Sequence, residues 1–361
     1  MFFYSFNFIL ILFGTIIPEN DYYKKYNIIF WRLLIFYFIF IIGFRSEVGG
    51  DWEQYLYHFN TTNNLPLLKF NFELTGDIAY LLLVKISVFL NSNIILVNLF
   101  SAIIVMFAIK FFCEKQKNKF ISLLILYPYF ILIVIMGYNR QGIAASIILL
   151  SIIFFFNRRI FLLIFSLLLA TLFHKTALLA FSLLLLYPKS LDNKKIFVLF
   201  IISSIVIFSL YFFIFYDSIN RIIYFFILDP HFSSDGVYLR LLYFLIPIIL
   251  FILLRDKFKI SKYENRLIVF SSLIILTSSP LIITYSSLID RILVYFTFLQ
   301  VLIFLNFYTQ IKMLKFKTMF HLFIAVFYYF YIYIWFSYSS YSEWWLPYKF
   351  DVNIFKYIKN I

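Results

Sequence analysis

Two unbroken apolar runs decide the fold of this chain: residues 143–156 read IAASIILLSIIFFF, and residues 196–215 read IFVLFIISSIVIFSLYFFIF. Such runs are typical of helices that cross a bilayer, whereas strands of a membrane β-barrel alternate apolar and polar residues. Of the 361 residues, 64% are hydrophobic and only 13% are charged, too few to coat a water-facing surface. We therefore predict an all-α, polytopic integral membrane protein with about 10–13 transmembrane or re-entrant helices. The composition argues against a soluble enzyme, a disordered chain and a DNA-binding domain.

The whole chain, 1–361, is expected to form one membrane-embedded domain. A spanning helix needs about 20 apolar residues, and this criterion predicts ten spans with boundaries uncertain by a few residues. These are 2–18, 28–44, 94–112, 120–137, 143–157, 196–216, 238–254, 266–286, 291–308 and 318–338. The first has no basic start and no small-residue cleavage site, so we interpret it as a retained helix rather than a signal peptide.

The net charge of +14 is first explained by topology, because cytoplasmic loops of membrane proteins are enriched in Lys and Arg. Alternating spans place most of the 31 basic residues inside, in the loops 19–27, 113–119, 158–159, 188–195, 255–266 and 312–317. For this pattern to hold, 160–187 must cross an even number of times. We therefore predict a broken helix pair there, with its tip at His174-Lys175-Thr176 facing outward. The single Cys113 argues against a disulfide framework and a cysteine metal cluster.

The predicted outer face carries most of the acidic residues and every glycine except Gly14, so we look for chemistry there. It comprises the outer loops 45–76 and 217–238. Residues 77–90 (DIAYLLLVKISVFL) are too short to span and carry a lysine. Counting them as a span would invert every later loop, so we interpret them as a re-entrant or amphipathic helix on the outer face.

The first candidate site follows the second span and contains Arg45, Asp51, Trp52 and Tyr55 around a Gly-Gly pair. Arginine suits phosphate, aromatic rings stack on sugars, and a carboxylate accepts a proton or hydrogen bond from a hydroxyl. The alternative is an ordinary interfacial loop in which arginine meets lipid phosphate and tryptophan marks the membrane boundary.

The second candidate is the tight outer turn that contains Arg140 and Gln141. It would aim a guanidinium and a helix N-terminus at one anion, or it would simply contact lipid headgroups.

The third candidate is the tip of the broken pair, where His174 and Lys175 interrupt apolar sequence. Ionisable residues at membrane depth are candidates for function, although a lone histidine is more often structural. The fourth is Asp290-Arg291, expected to open a span at Ile292; the alternative is an Asp–Arg surface pair that contributes little. Tyr238 and Arg240 lie in a polar outer loop that would cover a site or be merely solvated.

Several of these segments together resemble the EpsG-like branch of the Wzy-type polysaccharide polymerases. The shared segments, in order, are Arg45…Val48-Gly49-Gly50-Asp51…Tyr55, Glu73…Gly76…Tyr80, Arg140-Gln141-Gly142-Ile143-Ala144, Phe173-His174-Lys175-Thr176-Ala177, Asp290-Arg291 and Trp344…Pro347-Tyr348-Lys349. The chain departs from the family pattern at Gly50, where Thr or Ser is commoner, and by three residues inserted before Tyr80. The resemblance covers nearly the whole chain.

The resemblance implies a GT-C-like membrane glycosyltransferase of the bacterial inner membrane whose active site faces the periplasm or exterior. Its substrate would be a repeat unit on undecaprenyl diphosphate, whose glycan moves to the terminal sugar hydroxyl of another unit. Its partners would be membrane lipids and a Wzz-like chain-length regulator, with no nucleic acid, cofactor or metal.

Each candidate residue has a role in the expected inverting displacement. Arg140, Arg291 and Arg45 would bind the diphosphate, with Lys175 as a further phosphate ligand. His174 or Asp51 would accept the hydroxyl proton, and Tyr55, Trp52 and Tyr238 would contact sugars. Gln141 and Arg240 complete the expected substrate-binding set. Replacing Arg140 by alanine is then expected to abolish long-chain polysaccharide while the protein level stays normal.

Three other functions are alternatives for this sequence, and they agree with it to different degrees. An O-antigen-type ligase would need the same cations. A flippase or transporter should show internal repeats and charges along a central cavity, and neither is evident. A channel is least consistent, because no span carries a ring-forming polar filter. Nucleotide-binding motifs such as a P-loop are also not evident.

Overall fold

A computed structural model describes residues 1–18, 22–66, 77–186, 224, 234 and 236–353. Within these ranges all regular structure is helical and no strand occurs. The helices are α1 (Phe2–Ile16), α2 (Lys24–Gly43), α3 (Trp52–Asn63), α4 (Ile78–Phe89), α5 (Ile94–Glu114), α6 (Lys119–Leu126), α7 (Asn139–Phe156), α8 (Ile160–Phe173), α9 (Val237–Leu253), α10 (Lys262–Ser278), α11 (Ile282–Leu293), α12 (Phe298–Gln310) and α13 (Leu314–Tyr338). A π-helix, Tyr127–Ile135, continues α6, and a 3₁₀-helix, Lys175–Leu186, follows α8.

The all-α, multi-pass prediction is confirmed for the described part of the chain. Five of its helical stretches are long and apolar enough to cross a membrane: Lys24–Gly43, Ile94–Glu114, Asn139–Phe156, Lys262–Phe296 and Leu314–Tyr338. Shorter apolar helices accompany them. The predicted span 196–216, the inner loop 188–195, the Glu73…Gly76 segment and most of the outer loop 217–238 lie outside the described residues.

The prediction that Asp290-Arg291 opens a span is wrong. Both residues lie within α11, and α12 begins only at Phe298. The break falls earlier, because the 3₁₀ turn Ser279–Leu281 contains Pro280 and Tyr285 departs from helical geometry at φ −129° and ψ 48°. A proline has no N–H to donate and interrupts the helical hydrogen bonds.

The centre of the bundle is the continuous segment 120–137, in which every residue is buried. Pro128 sits at the start of its π-helical part, where the missing N–H favours a local departure from α-helical hydrogen bonding. The segment ends next to Asn139, where α7 begins. Its buried end therefore brings the Arg140 turn into contact with the rest of the bundle.

Loops predicted to lie inside meet at one end of the bundle. Lys117 donates a 2.5 Å hydrogen bond to Asn306 Oδ1, and Asn306 in turn donates to Glu264. The Arg158 guanidinium lies 4.9 Å from the Tyr263 ring centroid. These residues come from four separate parts of the sequence, and their meeting agrees with the alternation of spans. The assignment of this end to the cytoplasm stays a prediction.

Helix α4 occupies the segment predicted as re-entrant or amphipathic. It packs against α3, α5 and α8. Its Lys85 is buried and donates a 3.0 Å hydrogen bond to the carbonyl of Pro66, just beyond the end of α3. The Lys85 ammonium group therefore lies at the C-terminal end of α3, where the helix dipole favours a positive charge. The predicted break at His174 coincides with the end of α8 at Phe173.

Candidate active site

A cavity of about 280 Å³ lies at the bundle end opposite the Lys117–Asn306 contact. Five separate segments line it: the residue before α3, the π-helix with the first turn of α7, the start of α9 with a residue before it, α11 with the residue after it, and the segment after α13. The lining residues are Asp51, Tyr129, Ile133, Val134, Tyr138, Gln141, Ser234, Arg240, Ser287, Asp290, Arg291, Val294 and Tyr341. Four of the predicted site residues, namely Asp51, Gln141, Arg240 and Arg291, therefore share one cavity.

Two arginines bring positive charge to this cavity. Arg240 forms an ion pair with Asp290, and Ser234 Oγ donates a 3.0 Å hydrogen bond to the same carboxylate oxygen. Gln141 Nε2 donates a 3.1 Å hydrogen bond to the backbone carbonyl of Arg291. This contact fixes α11 against the start of α7 and sets where the Arg291 side chain begins.

Asp51 supplies a carboxyl group to the cavity from the N-cap position of α3. Tyr55, one turn later, donates a 3.3 Å hydrogen bond from its hydroxyl to Asp51 Oδ2. Burial raises the pKa of the Asp51 carboxyl above its ordinary value, and the charges of Arg291 and Arg140 oppose that rise. A carboxylate with a raised pKa is a stronger proton acceptor, which suits a general base.

A second polar cluster lies beside the cavity and centres on Asp77. The Arg140 guanidinium is 2.9 Å from Asp77 Oδ2, and His174 Nδ1 is 3.7 Å from the same oxygen. Asp77 is only 3% exposed. The Arg140 guanidinium also lies 5.5 Å from the centroid of the Tyr55 ring, so Tyr55 connects this cluster to Asp51. Two predicted residues, Arg140 and His174, thus meet around one carboxylate.

The C-terminal segment holds the Asp51 turn in place. Gly49, at φ +113°, donates from its N–H to the carbonyl of Trp344 at 2.9 Å, and Asp51 N–H donates to Gly137 O at 3.2 Å. Trp345 is fully buried against Gly137 and donates from Nε1 to Leu132 O at 2.9 Å. The segment after α13 therefore fixes the loop that carries Asp51, and its Trp345 is a packing residue.

Replacing Gly137 by alanine is expected to destabilise the protein. A Cβ at this position would lie 2.5 Å from a ring carbon of Trp345, a side chain that is fully buried and hydrogen-bonded. Overpacking of this kind costs about 1–3 kcal/mol. Thermal unfolding of the detergent-purified variant checks this, with Gly50→Ala as the matched control, since its Cβ would meet no atom closer than 3.7 Å. Equal melting temperatures for the two variants would contradict the packing argument.

Seven predicted site residues are absent from the lining of the cavity, and four of them also lie outside the Asp77 cluster that Arg140, His174 and Tyr55 form. Arg45 is 2% exposed and donates to the carbonyls of Ile42 at 2.5 Å and Met136 at 3.2 Å, which gives it a structural position. Trp52, Lys175 and Tyr238 are also absent from the lining. The expectation that Arg45 binds diphosphate therefore finds no support in its surroundings.

Three contributors were not singled out from sequence. Tyr129 belongs to an apolar run, and only the π-helical geometry explains its place at the cavity. Tyr341 comes from the segment after α13. The third is Asp77. The sequence signal that could have found it is an acidic residue directly before an apolar helix, on a predicted outer face that also carries arginines.

The model of the EpsG family matches residues 28–350, a range that includes every residue of the cavity and of the Asp77 cluster. The chain belongs to the EpsG family. This is the family of Wzy-like polysaccharide polymerases, so the resemblance predicted from the motifs is confirmed. No curated protein and no solved structure matches the chain.

Membership of the EpsG family indicates, at the family level, which kind of reaction the cavity would serve. The chain is a multi-pass membrane protein, and its family implies a glycosyltransferase-like polymerase of polysaccharides. The cavity and the Asp77 cluster include residues from four of the segments that carry the resemblance: the Asp51 loop, the Arg140 turn, the His174 break and the Asp290-Arg291 pair. Among the described residues, no three His, Cys, Asp or Glu side chains form a group that could hold a metal ion.

Proposed function

We propose that this protein polymerises lipid-linked oligosaccharide repeat units. It transfers a glycan from undecaprenyl diphosphate to the terminal sugar hydroxyl of a second unit, at the outer face of the bacterial inner membrane. One observation carries the proposal: Asp51, Arg240 and Arg291 share a cavity at the end of a membrane-embedded bundle. A membrane site is required because both substrates are lipids, and cations are required because the leaving group is a diphosphate.

The proposed step is a direct displacement with inversion. The acceptor hydroxyl oxygen attacks the anomeric carbon of the donor while the bond from that carbon to the diphosphate oxygen breaks. The hydroxyl proton passes to Asp51, and the bonding electrons leave with the undecaprenyl diphosphate. Arg291 and Arg240 stabilise the negative charge that develops on the diphosphate. These side chains serve without a metal ion in the proposal.

We assign Asp51 rather than His174 as the proton acceptor because Asp51 lines the cavity and His174 does not. His174 and Arg140 become positioning residues, since both meet the buried Asp77 carboxylate. The Arg140 guanidinium contacts the Tyr55 ring, and the Tyr55 hydroxyl donates a hydrogen bond to Asp51, so this cluster positions the Asp51 carboxylate. The GT-C-like architecture remains part of the proposal.

The size of the cavity limits what it encloses. Cavities that enclose drug-sized ligands measure about 300–1,000 Å³, and this one, at about 280 Å³, lies just below that range. We assign it to the reacting groups, namely the diphosphate and the adjoining sugar, with the remaining sugars outside. Tyr129, Tyr138 and Tyr341 offer ring faces for sugar contacts. A Wzz-like regulator would act on chain length beyond this cavity.

Purified protein in liposomes, incubated with one defined lipid-linked repeat unit and a metal chelator, is expected to give a ladder of products differing by one repeat. Sizing the released glycans measures it. Transfer of a finished glycan to an acceptor other than a repeat unit, without a ladder, would indicate a ligase. Movement of the substrate across the bilayer without a new glycosidic bond would indicate a flippase. Either result would overturn the proposed function.

A further inference from the structure

A second, larger cavity lies at the bundle end that carries the Lys117–Asn306 contact. Its volume is about 850 Å³, and it is bounded by the loop between α9 and α10, the end of α12 and the start of α13. Three lysines line it, Lys257, Lys259 and Lys312, together with an apolar set that includes Phe307, Phe320 and Phe323. None of these residues takes part in the proposed transfer reaction.

The wall of this groove is a continuous row of phenylalanine rings. Phe307 packs on Phe320 with centroids 4.8 Å apart, and Phe320 stacks on Phe323 at 5.8 Å and an interplanar angle of 24°. Phe258, from the α9–α10 loop, reaches Phe307 at 6.0 Å and ties the lysine-bearing loop to this wall. Phe323 remains 44% exposed, so the wall presents apolar surface that the described chain does not cover.

The cations of the groove lack acidic partners within the described residues. Lys257, Lys259 and Lys312 are exposed, and none appears among the ion pairs of that part of the chain. Lys110, on another inner-end helix, by contrast pairs with Glu114 at 3.2 Å. Three ammonium groups without an acidic partner among the described residues, beside an apolar wall, fit a ligand that is both anionic and apolar.

We propose that this groove binds an anionic phospholipid, with an acyl chain along the phenylalanine wall and the headgroup phosphate among the three lysines. Basic pockets between membrane helices on the cytoplasmic side are suited to such headgroups. The concave shape distinguishes the site from a convex lipid-facing helix surface, where any lipid packs equally well. A free phosphate would use the lysines but leave the apolar wall uncovered.

The test uses the full chain in nanodiscs of equal parts phosphatidylglycerol and phosphatidylcholine, followed by gentle detergent exchange and native mass spectrometry. The variant K257Q/K259Q/K312Q is compared with K24Q/K25Q/K115Q, which removes three exposed lysines from the predicted inner loops 19–27 and 113–119, away from the groove. A lysine near an anionic headgroup contributes about a fivefold preference, so the groove variant should lose retained phosphatidylglycerol by about a hundredfold. The control should retain it at the wild-type level.

Three outcomes would overturn the proposal. The first is equal loss from both variants, since that reflects the general charge of this end of the protein. The second is wild-type retention of phosphatidylcholine equal to that of phosphatidylglycerol, which means an unselective lipid contact. The third is displacement of the bound lipid by glycerol phosphate, which means a free-phosphate site. A further variant, Met319→Trp, fills the apolar side and should reduce retention while leaving all three lysines in place.

Discussion

Replacing Arg291 by alanine is expected to abolish the polysaccharide ladder and to lower the initial rate of glycan transfer by about a hundredfold or more. The guanidinium lines the cavity next to Asp51, where the leaving diphosphate is placed, and the loss of one group that stabilises developing charge typically costs about 10²–10³ in rate. The rate is measured with purified protein and a defined lipid-linked repeat unit. Folding should persist, because Gln141 contacts the backbone carbonyl of Arg291, which the substitution retains.

Two variants make this result interpretable. Arg291→Lys keeps the charge but loses the planar fork that matches phosphate oxygens, so a partial rate is expected. Lys349→Ala removes another cation from the same end of the bundle, where Lys349 pairs with Glu47 and is 52% exposed. Its rate should equal that of the wild type. If Arg291→Ala transfers glycan as fast as Lys349→Ala, Arg291 does not contact the diphosphate.

The variant D77N/R140Q is expected to accumulate and unfold like the wild type while transferring glycan at a strongly reduced rate. Each single variant should instead accumulate poorly, because removing one member of a buried ion pair leaves the other charge buried alone and costs about 3–5 kcal/mol of stability. The double variant removes both charges, so neither is left buried without its partner. The rate stays low because the Arg140 guanidinium and its contact with Tyr55 are lost next to Asp51. Protein level, melting temperature and transfer rate are measured together.

This expectation changes the one that follows from sequence alone, in which Arg140→Ala leaves the protein level normal. The control is E47Q/K349Q, which removes an exposed ion pair of little energetic value at the same end of the bundle. It should leave level, stability and rate unchanged. Full activity of D77N/R140Q would show that the buried pair serves folding only and would remove Arg140 and Asp77 from the site.

The hydrophobic runs predicted much of the fold, because the length of an apolar run reports directly on membrane crossing. The predicted spans 28–44, 94–112 and 318–338 correspond closely to α2, α5 and α13. Departures from α-helical geometry were not predictable in the same way. Whether Pro128 gives a π-helix or a kink, and where the chain bends around Pro280, depends on the packing of neighbouring helices rather than on periodicity.

The candidate site was predicted in composition but not in arrangement. Asp51, Gln141 and Arg291 stand out in the sequence because they belong to polar clusters on the predicted outer face of an apolar chain. The same reasoning also marked Arg45, which the structure places among backbone carbonyls. Sequence reports that an arginine is present at an interface. Only the fold decides whether its guanidinium faces a cavity or a carbonyl.

The segment after α13 completes the cavity, although it is among the last parts of the chain to be synthesised. Tyr341 lines the cavity, Trp345 packs beneath the Asp51 turn, and Phe350 pairs with Arg45 across an antiparallel bridge. A ribosome adds these residues after all the helices described here have been synthesised. We therefore expect an unfinished chain held in the insertion machinery to have an incompletely walled cavity, and to carry out the proposed transfer only after translation has passed this segment.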